Sequence, residues 1–327
     1  MNSLKKPLAS VLDAHQALHK TDDAFASNAR LLQSLWAKKN DLPIEQRQMR
    51  LKDGTVRVLP PLRNYVQLDH AMQHGSNFLT KTIRQAVTNE MAANEKRSGA
   101  DRKTIRPDRL YSNLLSSQPM AFNLFGELKA DLGLASRVFK RLFQSRISEV
   151  TNIEFEYSPG RGNAKYTEDR SAFDVFVEYT GPNGKGFVGI EVKYAENMNV
   201  EPAKFRDKYK VVAETSGVFV PGAIEALCAM PKPIEQLWRD HLLCLSMQPP
   251  VNTDYAEGAF VFLYPQANKA CYDAVQGYAK RLANKESFQS LTMEAFCDAL
   301  HAEEAGGWVE ELHERYLGFD RIASMSL

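Results

Sequence analysis

The first hundred residues carry apolar side chains at three- to four-residue spacing, the repeat expected of a helix with one buried face. This spacing runs over residues 4–18, 23–38 and 64–95. Between the last two, residues 51–59 place an Asp-Gly pair between short apolar stretches, and two prolines follow, which favours a β-hairpin. We therefore predict a mainly helical N-terminal region that contains one small hairpin.

The pattern changes after Tyr111, where helical and strand-like runs begin to alternate. Ser116 or Ser117 is placed to cap a helix that has Pro119 in its first turn. Runs rich in Val, Ile, Phe and Tyr predict strands over residues 150–157, 172–179, 187–194 and 259–264. Helical spacing predicts the remaining elements over residues 135–143, 204–215, 234–247, 269–284 and 293–302. This order of elements predicts an α/β or α+β fold.

A polar and charged stretch without periodicity, residues 94–109, separates the two patterns. We place a linker there. The prediction is a basic, mainly helical region over residues 1–109 and a second domain over residues 110–327. Net charge follows the same division, because residues 1–110 contain 19 basic and 11 acidic residues, whereas residues 111–327 contain 22 and 29. A basic segment beside an acidic one is typical of a protein that binds a polyanion, although solvated helix faces give the same balance.

The segment 171–194 contains the residues that we expect to form the catalytic site. Its glycine-rich centre predicts a hairpin turn near Asn183 and Gly184, which would bring Asp174 close to Lys193 on the neighbouring strand. Glu191 and Lys193 point to one face because side chains on a strand repeat every two residues. We therefore expect Asp174, Glu191 and Lys193 to converge, with apolar neighbours on both sides of Asp174.

Two carboxylates at such a site are suitable ligands for Mg²⁺, which keeps several waters and accepts phosphate oxygens as further ligands. We expect Asp174 and Glu191 to hold Mg²⁺, with Mn²⁺ as the alternative ion, and Lys193 to stabilise charge that develops during attack on a phosphate. A strand that reads x-E-x-K is also a common surface ion pair. The apolar surroundings of Asp174 and Glu191 favour the catalytic interpretation.

The hairpin resembles the signature of the PD-(D/E)XK nuclease superfamily, with Asp174 in the position of its Asp and Glu191 and Lys193 in those of its E-x-K. Further segments are similar to an uncharacterised bacterial group of nuclease-like proteins in this superfamily: LLSSQPMAFNLFG, FEYSPGRG, AFDVFVEY, GFVGIEVKY and FLYPQAN. Together they cover roughly residues 111–268. The resemblance implies a restriction-endonuclease-like core of a helix, three antiparallel strands, a helix and a strand, preceded here by a mainly helical extension. It also implies hydrolysis of phosphodiester bonds but no specific substrate. DNA is the substrate that we expect.

Other residues are weaker candidates for the same site. Glu127, on the first helix of the expected core, and Glu156, on the strand before that of Asp174, are auxiliary acids. Gln236 lies on the helix after the hairpin, where related nucleases often keep a polar residue. Arg161 in the loop 158–162 and Lys185 in the hairpin turn are candidate nucleic-acid contacts, and each of these five residues has an ordinary surface role as its alternative.

Composition bears on the location of the protein, the state of its cysteines and its partners. No run of eighteen apolar residues exists and the first residues lack the apolar run of a signal peptide, so we expect a cytoplasmic protein without a membrane partner. Four separated cysteines with apolar neighbours predict free thiols. A nucleic acid is the expected partner, and a homodimer stays open. Two alternatives to the nuclease also stay open: a catalytically silent nucleic-acid-binding or interaction protein on the same fold, and a structural protein with an ordinary ion pair.

Overall fold

The computed structural model describes residues 4–199 and 201–323. The helices of these ranges are α1 Ala9–Ala14, α2 Ala24–Lys39, α3 Leu68–His74, α4 Lys81–Glu95, α5 Ser117–Ala130, α6 Leu132–Phe143, α7 Asp207–Ser216, α8 Ala223–Cys228, α9 Glu235–Leu245, α10 Lys269–Ala279, α11 Met293–Ala302, α12 Trp308–Tyr316 and α13 Asp320–Ala323. The strands are β1 Gln48–Arg50, β2 Val56–Val58, β3 Glu149–Tyr157, β4 Phe173–Gly181, β5 Gly184–Val192, β6 Glu257–Tyr264 and β7 Phe288–Thr292.

Five strands form the central sheet in the order β3-β4-β5-β6-β7, and β1 and β2 form a separate two-stranded ribbon. β3, β4 and β5 pair antiparallel, whereas β6 lies parallel to β5 and β7 lies parallel to β6. Helices cover both faces of this mixed sheet. The predicted mixed α/β class is therefore confirmed.

The turn between β4 and β5 lies one residue earlier than predicted. Gly181 pairs with Gly184, so Pro182 and Asn183 form the connection. The predicted centre at Asn183 and Gly184 was wrong, and the pairing is shifted by two residues. Because side chains alternate with a period of two, an even shift leaves every side chain on the predicted face of the sheet.

Each face of the sheet has its own hydrophobic cluster. Valine and isoleucine side chains of β4 and β5, such as Val175, Val177 and Ile190, pack with residues of α2, α5, α6, α11 and α12. Phe176 and Phe187 of the same strands lie in the second cluster with residues of α7, α8, α9 and α10. The alternation of aliphatic and aromatic residues along β4 and β5 thus follows from burial of both faces.

Some predicted helices differ from the structure. The single helix predicted over residues 64–95 was wrong. α3 ends at His74 and is followed by Gly75, which has a φ of 60°, and α4 begins after Thr80, whose hydroxyl accepts a hydrogen bond from Ile83 N. The sequence pattern also did not predict β7 or α12. By contrast, the predicted cap of α5 is confirmed, because Ser116 Oγ accepts a hydrogen bond from Gln118 N at 3.2 Å.

The N-terminal region contacts the rest of the chain. Gln33 on α2 donates a hydrogen bond to the carbonyl of Arg315 on α12, over 2.8 Å. Within the polar stretch 94–109, the side chain of Asn94 bonds the backbone of Lys103, and Lys103 is buried. The boundary after Arg109 stays a prediction.

The cysteines that were expected to be free are so in the structure, and Cys228 is half-buried whereas the other three are buried. Over residues 4–199 and 201–323, none of the helices combines the length and the apolar character needed to cross a bilayer.

Candidate active site

The candidate site lies where β4 and β5 stop pairing. Val175 and Ile190 form their last pair toward this end of the sheet, and the next residues along the two strands are Asp174 and Glu191. The carboxylate of Asp174 instead accepts a hydrogen bond from the backbone N–H of Val192 at 2.8 Å. The side chain thereby occupies the place of a carbonyl in the ladder, which fixes it between the two strands.

Glu156 adds a third carboxyl from β3. The β3–β4 pairing continues on both sides of Glu156 and Asp174, so these two residues lie opposite each other. Glu156, Asp174 and Glu191 therefore follow one line across three neighbouring strands, which we call the acid row. The side-chain amide of Gln118, in the first turn of α5, donates to Glu156 Oε1 at 2.7 Å.

Glu156 has a φ of 50°, which is unusual for a residue with a side chain. Its neighbours Phe155 and Tyr157 pack into opposite hydrophobic clusters, although residues two apart on a regular strand share a face. The left-handed backbone conformation of Glu156 places these two neighbours on opposite faces of the sheet. Such a conformation costs on the order of 1–3 kcal/mol and is concentrated at functional sites.

Lys193 and Gln236 both hold Glu191. Lys193 Nζ lies 2.6 Å from Glu191 Oε1, and Gln236 Nε2 of α9 donates to the same oxygen at 2.6 Å. Glu191 and Lys193 are only 5% and 8% exposed. An ordinary solvated surface pair is therefore excluded, because both charged groups are removed from bulk water.

The electrostatics of the acid row are dominated by burial and by mutual repulsion. Burial raises the pKa of Asp174 well above its usual range, and the charges of Glu191 and Glu156 raise it further. Burial raises the pKa of Glu156 to about 7, against the opposing effect of the hydrogen bond from Gln118. Burial would lower the pKa of Lys193, but Glu191, Glu196 and Asp174 outweigh it and raise that pKa. The lysine stays charged beside acids that resist ionisation together.

Asp240 is a buried acid near the site that was not predicted from the sequence. It follows Gln236 by one helical turn on α9, and one of its oxygens, Oδ2, is buried without a hydrogen-bond partner among the described residues. Burial raises its pKa well above the usual range, and the charge of Glu191 adds to the effect while Lys193 opposes it. The i, i+4 spacing from Gln236 was the only sequence signal that placed Asp240 near the site.

Three of the weaker candidates lie away from the acid row or at its border. Glu127 contacts the hydroxyl of Thr80, and nine residues of helix, roughly 13.5 Å, separate it from Gln118. Lys185 pairs with Glu178 at 2.8 Å, six residues or roughly 20 Å along β5 from Glu191. Arg161 borders the row, since its guanidinium reaches the backbone carbonyl of Glu156 at 3.4 Å.

The fit of these residues to a divalent ion depends on their number and chemistry. Within the described part of the chain, no three His, Cys, Asp or Glu side chains converge closely enough to enclose a metal. Mg²⁺ needs no such cage, because one or two carboxylates, water and substrate phosphates complete its shell. Asp174 and Glu191 match that requirement, and an excess of buried acid is the environment that a cation relieves.

Comparison with known proteins identifies the family. Neither the curated proteins nor the solved structures gave a match. The model of the PD-(D/E)XK nuclease superfamily matches residues 20–318, a span that contains the acid row, Lys193, Gln236 and most of the N-terminal region. The chain belongs to the PD-(D/E)XK nuclease superfamily.

Proposed function

We propose that this protein is a metal-dependent nuclease that hydrolyses phosphodiester bonds, with DNA as its substrate. The observation that carries the proposal is the acid row: three acidic residues lie in one line across three neighbouring strands at one end of the sheet, beside a buried lysine. Raised pKa values of Asp174 and Glu156 support it, because such groups cluster at sites that bind or transform a charged ligand.

We further infer that α5, β3, β4, β5, α9 and β6 form the restriction-endonuclease-like core expected from the resemblance. In this interpretation, residues 1–109 are an extension that contributes to substrate binding. The basic charge of that extension supports the inference.

Asp174 and Glu191 would hold Mg²⁺, or Mn²⁺ in its place. The ion would supply positive charge at the scissile phosphate and would lower the pKa of a water. We assign Glu156 as the auxiliary acid of the same site. We make no such assignment for Glu127, which contacts Thr80 instead.

The other side chains of the site orient Glu191 or stabilise negative charge on the phosphate. Lys193 keeps its proton at Nζ and donates a hydrogen bond, so it can stabilise negative charge on a phosphate oxygen. Gln236 and Lys193 together fix Oε1 of Glu191, which leaves the carboxylate in one orientation. Arg161, at the border of the row, is placed to contact an adjacent phosphate.

The proposal is tested by incubating supercoiled plasmid and labelled single strands with the full chain in Mg²⁺, Mn²⁺ or EDTA. Wild type is compared with Asp174→Asn, which keeps the shape of the side chain and its acceptor for Val192 N. Cutting that requires a divalent ion and disappears in the variant is the expected result. A folded wild-type protein that binds nucleic acid but cuts nothing under any condition would instead support the silent binding protein.

A further inference from the structure

The β1–β2 ribbon is exposed on both faces. All six of its strand residues are exposed, and four large apolar side chains in and beside it lie open to solvent: Met49 by 41%, Leu51 by 39%, Val56 by 54% and Val58 by 61%. An isolated two-stranded hairpin is at best marginally stable in water. A ribbon that exposes this much apolar surface is typical of a contact surface.

The base of the ribbon is held firmly to the body of the protein. The N–H of Glu45 donates to the carbonyl of Tyr65 at 2.8 Å, and the guanidinium of Arg47 lies over the ring of Tyr65, 5.0 Å from its centre. The N–H of Leu59 donates to the carbonyl of Arg47 at 3.0 Å and closes the base of the ribbon. At the tip, Asp53 accepts hydrogen bonds from the backbone and hydroxyl of Thr55. The ribbon therefore projects as an ordered element with a fixed base and a closed turn.

The charge of the ribbon favours a polyanionic partner. Residues 47–59 contain the cations Arg47, Arg50, Lys52 and Arg57, and a single acid, Asp53, which is engaged in the turn. Register places Arg50 opposite Val56 on one face and Arg57 opposite Met49 on the other. Both faces thus present a cation beside an aliphatic side chain. Phosphates attract the cations, and aliphatic side chains contact thymine methyl groups.

The shape and composition of the ribbon favour duplex DNA among polyanions. The major groove of B-form DNA admits a two-stranded β-ribbon, whereas the major groove of A-form RNA is too deep and narrow for side chains to read. Surfaces that bind single strands without sequence preference stack bases on aromatic rings. Residues 47–59 contain no aromatic residue.

Arg109 connects the ribbon with the acid row. It lines an open hollow together with Arg47, Gln48 and Leu59 at the base of the ribbon. Its charge also opposes the burial that raises the pKa of Glu156. Arg109 therefore places a cation between the base of the ribbon and the acid row, in a hollow that also contains Glu45 and Asp108.

We propose that the β1–β2 ribbon enters the major groove of duplex DNA and holds a duplex against the acid row. The substrate assignment rests on the proposed nuclease function, but binding of the ribbon to a duplex does not. The two ideas therefore fail in different experiments.

The test measures fluorescence anisotropy of a labelled DNA duplex, its single strand and an RNA duplex of the same sequence, in EDTA so that nothing is cut. Arg50→Ala/Arg57→Ala is compared with wild type. The matched control, Lys140→Ala/Arg141→Ala, removes two exposed cations from α6, which contacts β3 at Val150, the end remote from Glu156. Thermal melting verifies that each variant is folded.

For the ribbon variant we expect affinity for the DNA duplex to fall on the order of tenfold, with the slope of log K against log salt shallower by about 2. The control should keep the wild-type affinity, and wild type should prefer the DNA duplex to the other two probes. Val56→Ser/Val58→Ser should weaken duplex binding without changing the salt slope, because it removes no charge.

Equal losses in the ribbon variant and the control, or unchanged duplex binding in the ribbon variant, would overturn the proposal. It would also fall if light scattering showed a wild-type dimer that the serine variant dissociates while duplex binding stays intact, since the ribbon would then bind a second copy. Ribbon-dependent duplex binding without cleavage would keep this inference and refute the nuclease. Cleavage by a protein whose duplex binding does not depend on the ribbon would support the nuclease and refute this inference.

Discussion

Among the described residues, two buried lysine–glutamate pairs have the same separation and differ in what surrounds them. Lys103 Nζ lies 2.6 Å from Glu90, and Lys193 Nζ lies 2.6 Å from Glu191. Around Lys103 the charges balance, because Lys129 and Glu154 complete a group of two cations and two anions, and Lys103 also donates to the carbonyl of Phe155.

Around Lys193 the charges do not balance. Glu156, Asp174 and Asp240 lie near Glu191, and the pKa of each is raised, first by burial and then by the charge of Glu191. Arg109 and Arg161 oppose the shift at Glu156, and Lys193 opposes that at Asp174, but neither shift is reversed. A buried ion pair alone is thus a structural feature. The excess of acid around the second pair is what indicates a site for a cation.

The most direct test of the difference between the two pairs is to replace each lysine in turn. Lys193→Met should lower metal-dependent cleavage roughly 10³-fold, because it removes the charged donor that stabilises the phosphate. Lys103→Met should leave cleavage by the folded protein near wild type but lower the free energy of unfolding by about 3–5 kcal/mol, since it strands a buried carboxylate. Cleavage kinetics and urea unfolding measure both, and equal cleavage losses would contradict the distinction.

The second prediction concerns Asp174→Asn and thermal melting. Mg²⁺ at a hundredfold excess over its dissociation constant should stabilise wild type by about 2.7 kcal/mol, and the variant should lose this response. In EDTA the variant should be at least as stable as wild type, because a repelled acid has been removed. The control Asp273→Asn, at an exposed pair with Lys269 on α10, should respond to Mg²⁺ as wild type does. A Mg²⁺ response that survives in Asp174→Asn would refute the ligand assignment.

The third prediction is a pH dependence in EDTA. The pKa of Glu156 is raised from 4.5 to about 7, so the unfolded chain releases this proton first and stability falls as pH rises between these values. The contribution of this one group is on the order of 3 kcal/mol. Glu156→Gln should therefore show a flatter decline in the free energy of unfolding over this window than wild type. Identical pH profiles would show that the pKa of Glu156 is not raised in the folded protein.

The smallest effect is expected for the amide that orients Glu191. Gln236→Ala should raise the Mg²⁺ concentration needed for half-maximal cleavage on the order of tenfold, because the carboxylate loses one of two partners. Gln248 is a matched control: it is buried and bonds both the N–H and the carbonyl of Gly258. Gln248→Ala should lower stability and leave the Mg²⁺ requirement unchanged, and a shift as large as that of Gln236→Ala would count against a specific role.

The sequence predicted the convergence of Asp174, Glu191 and Lys193 because that convergence depends on local rules. Strand periodicity fixes which side chains share a face, and a glycine-rich turn fixes that the two strands pair. The predicted register was wrong by two residues, and this error left each side chain on its predicted face of the sheet. Cap chemistry was equally local, which is why the start of α5 after Ser116 was predicted correctly.

Features that depend on tertiary contacts were not predictable in this way. Asp240 joins the site from α9, and its burial follows from packing of that helix on the sheet. The left-handed conformation of Glu156 resolves a conflict between the two hydrophobic clusters and has no signature in the residues around it. The break after α3 rests on Gly75 inside an otherwise helical pattern, where apolar spacing alone continues.

The most direct test of the central claim is an equilibrium titration with Mn²⁺, followed by the electron paramagnetic resonance signal of the free ion. It compares wild type, Asp174→Asn and Lys103→Met. The account predicts that wild type and Lys103→Met bind Mn²⁺ and that Asp174→Asn loses this binding. Equal binding by all three proteins, or none by wild type, would contradict the claim that the acid row is a cation site.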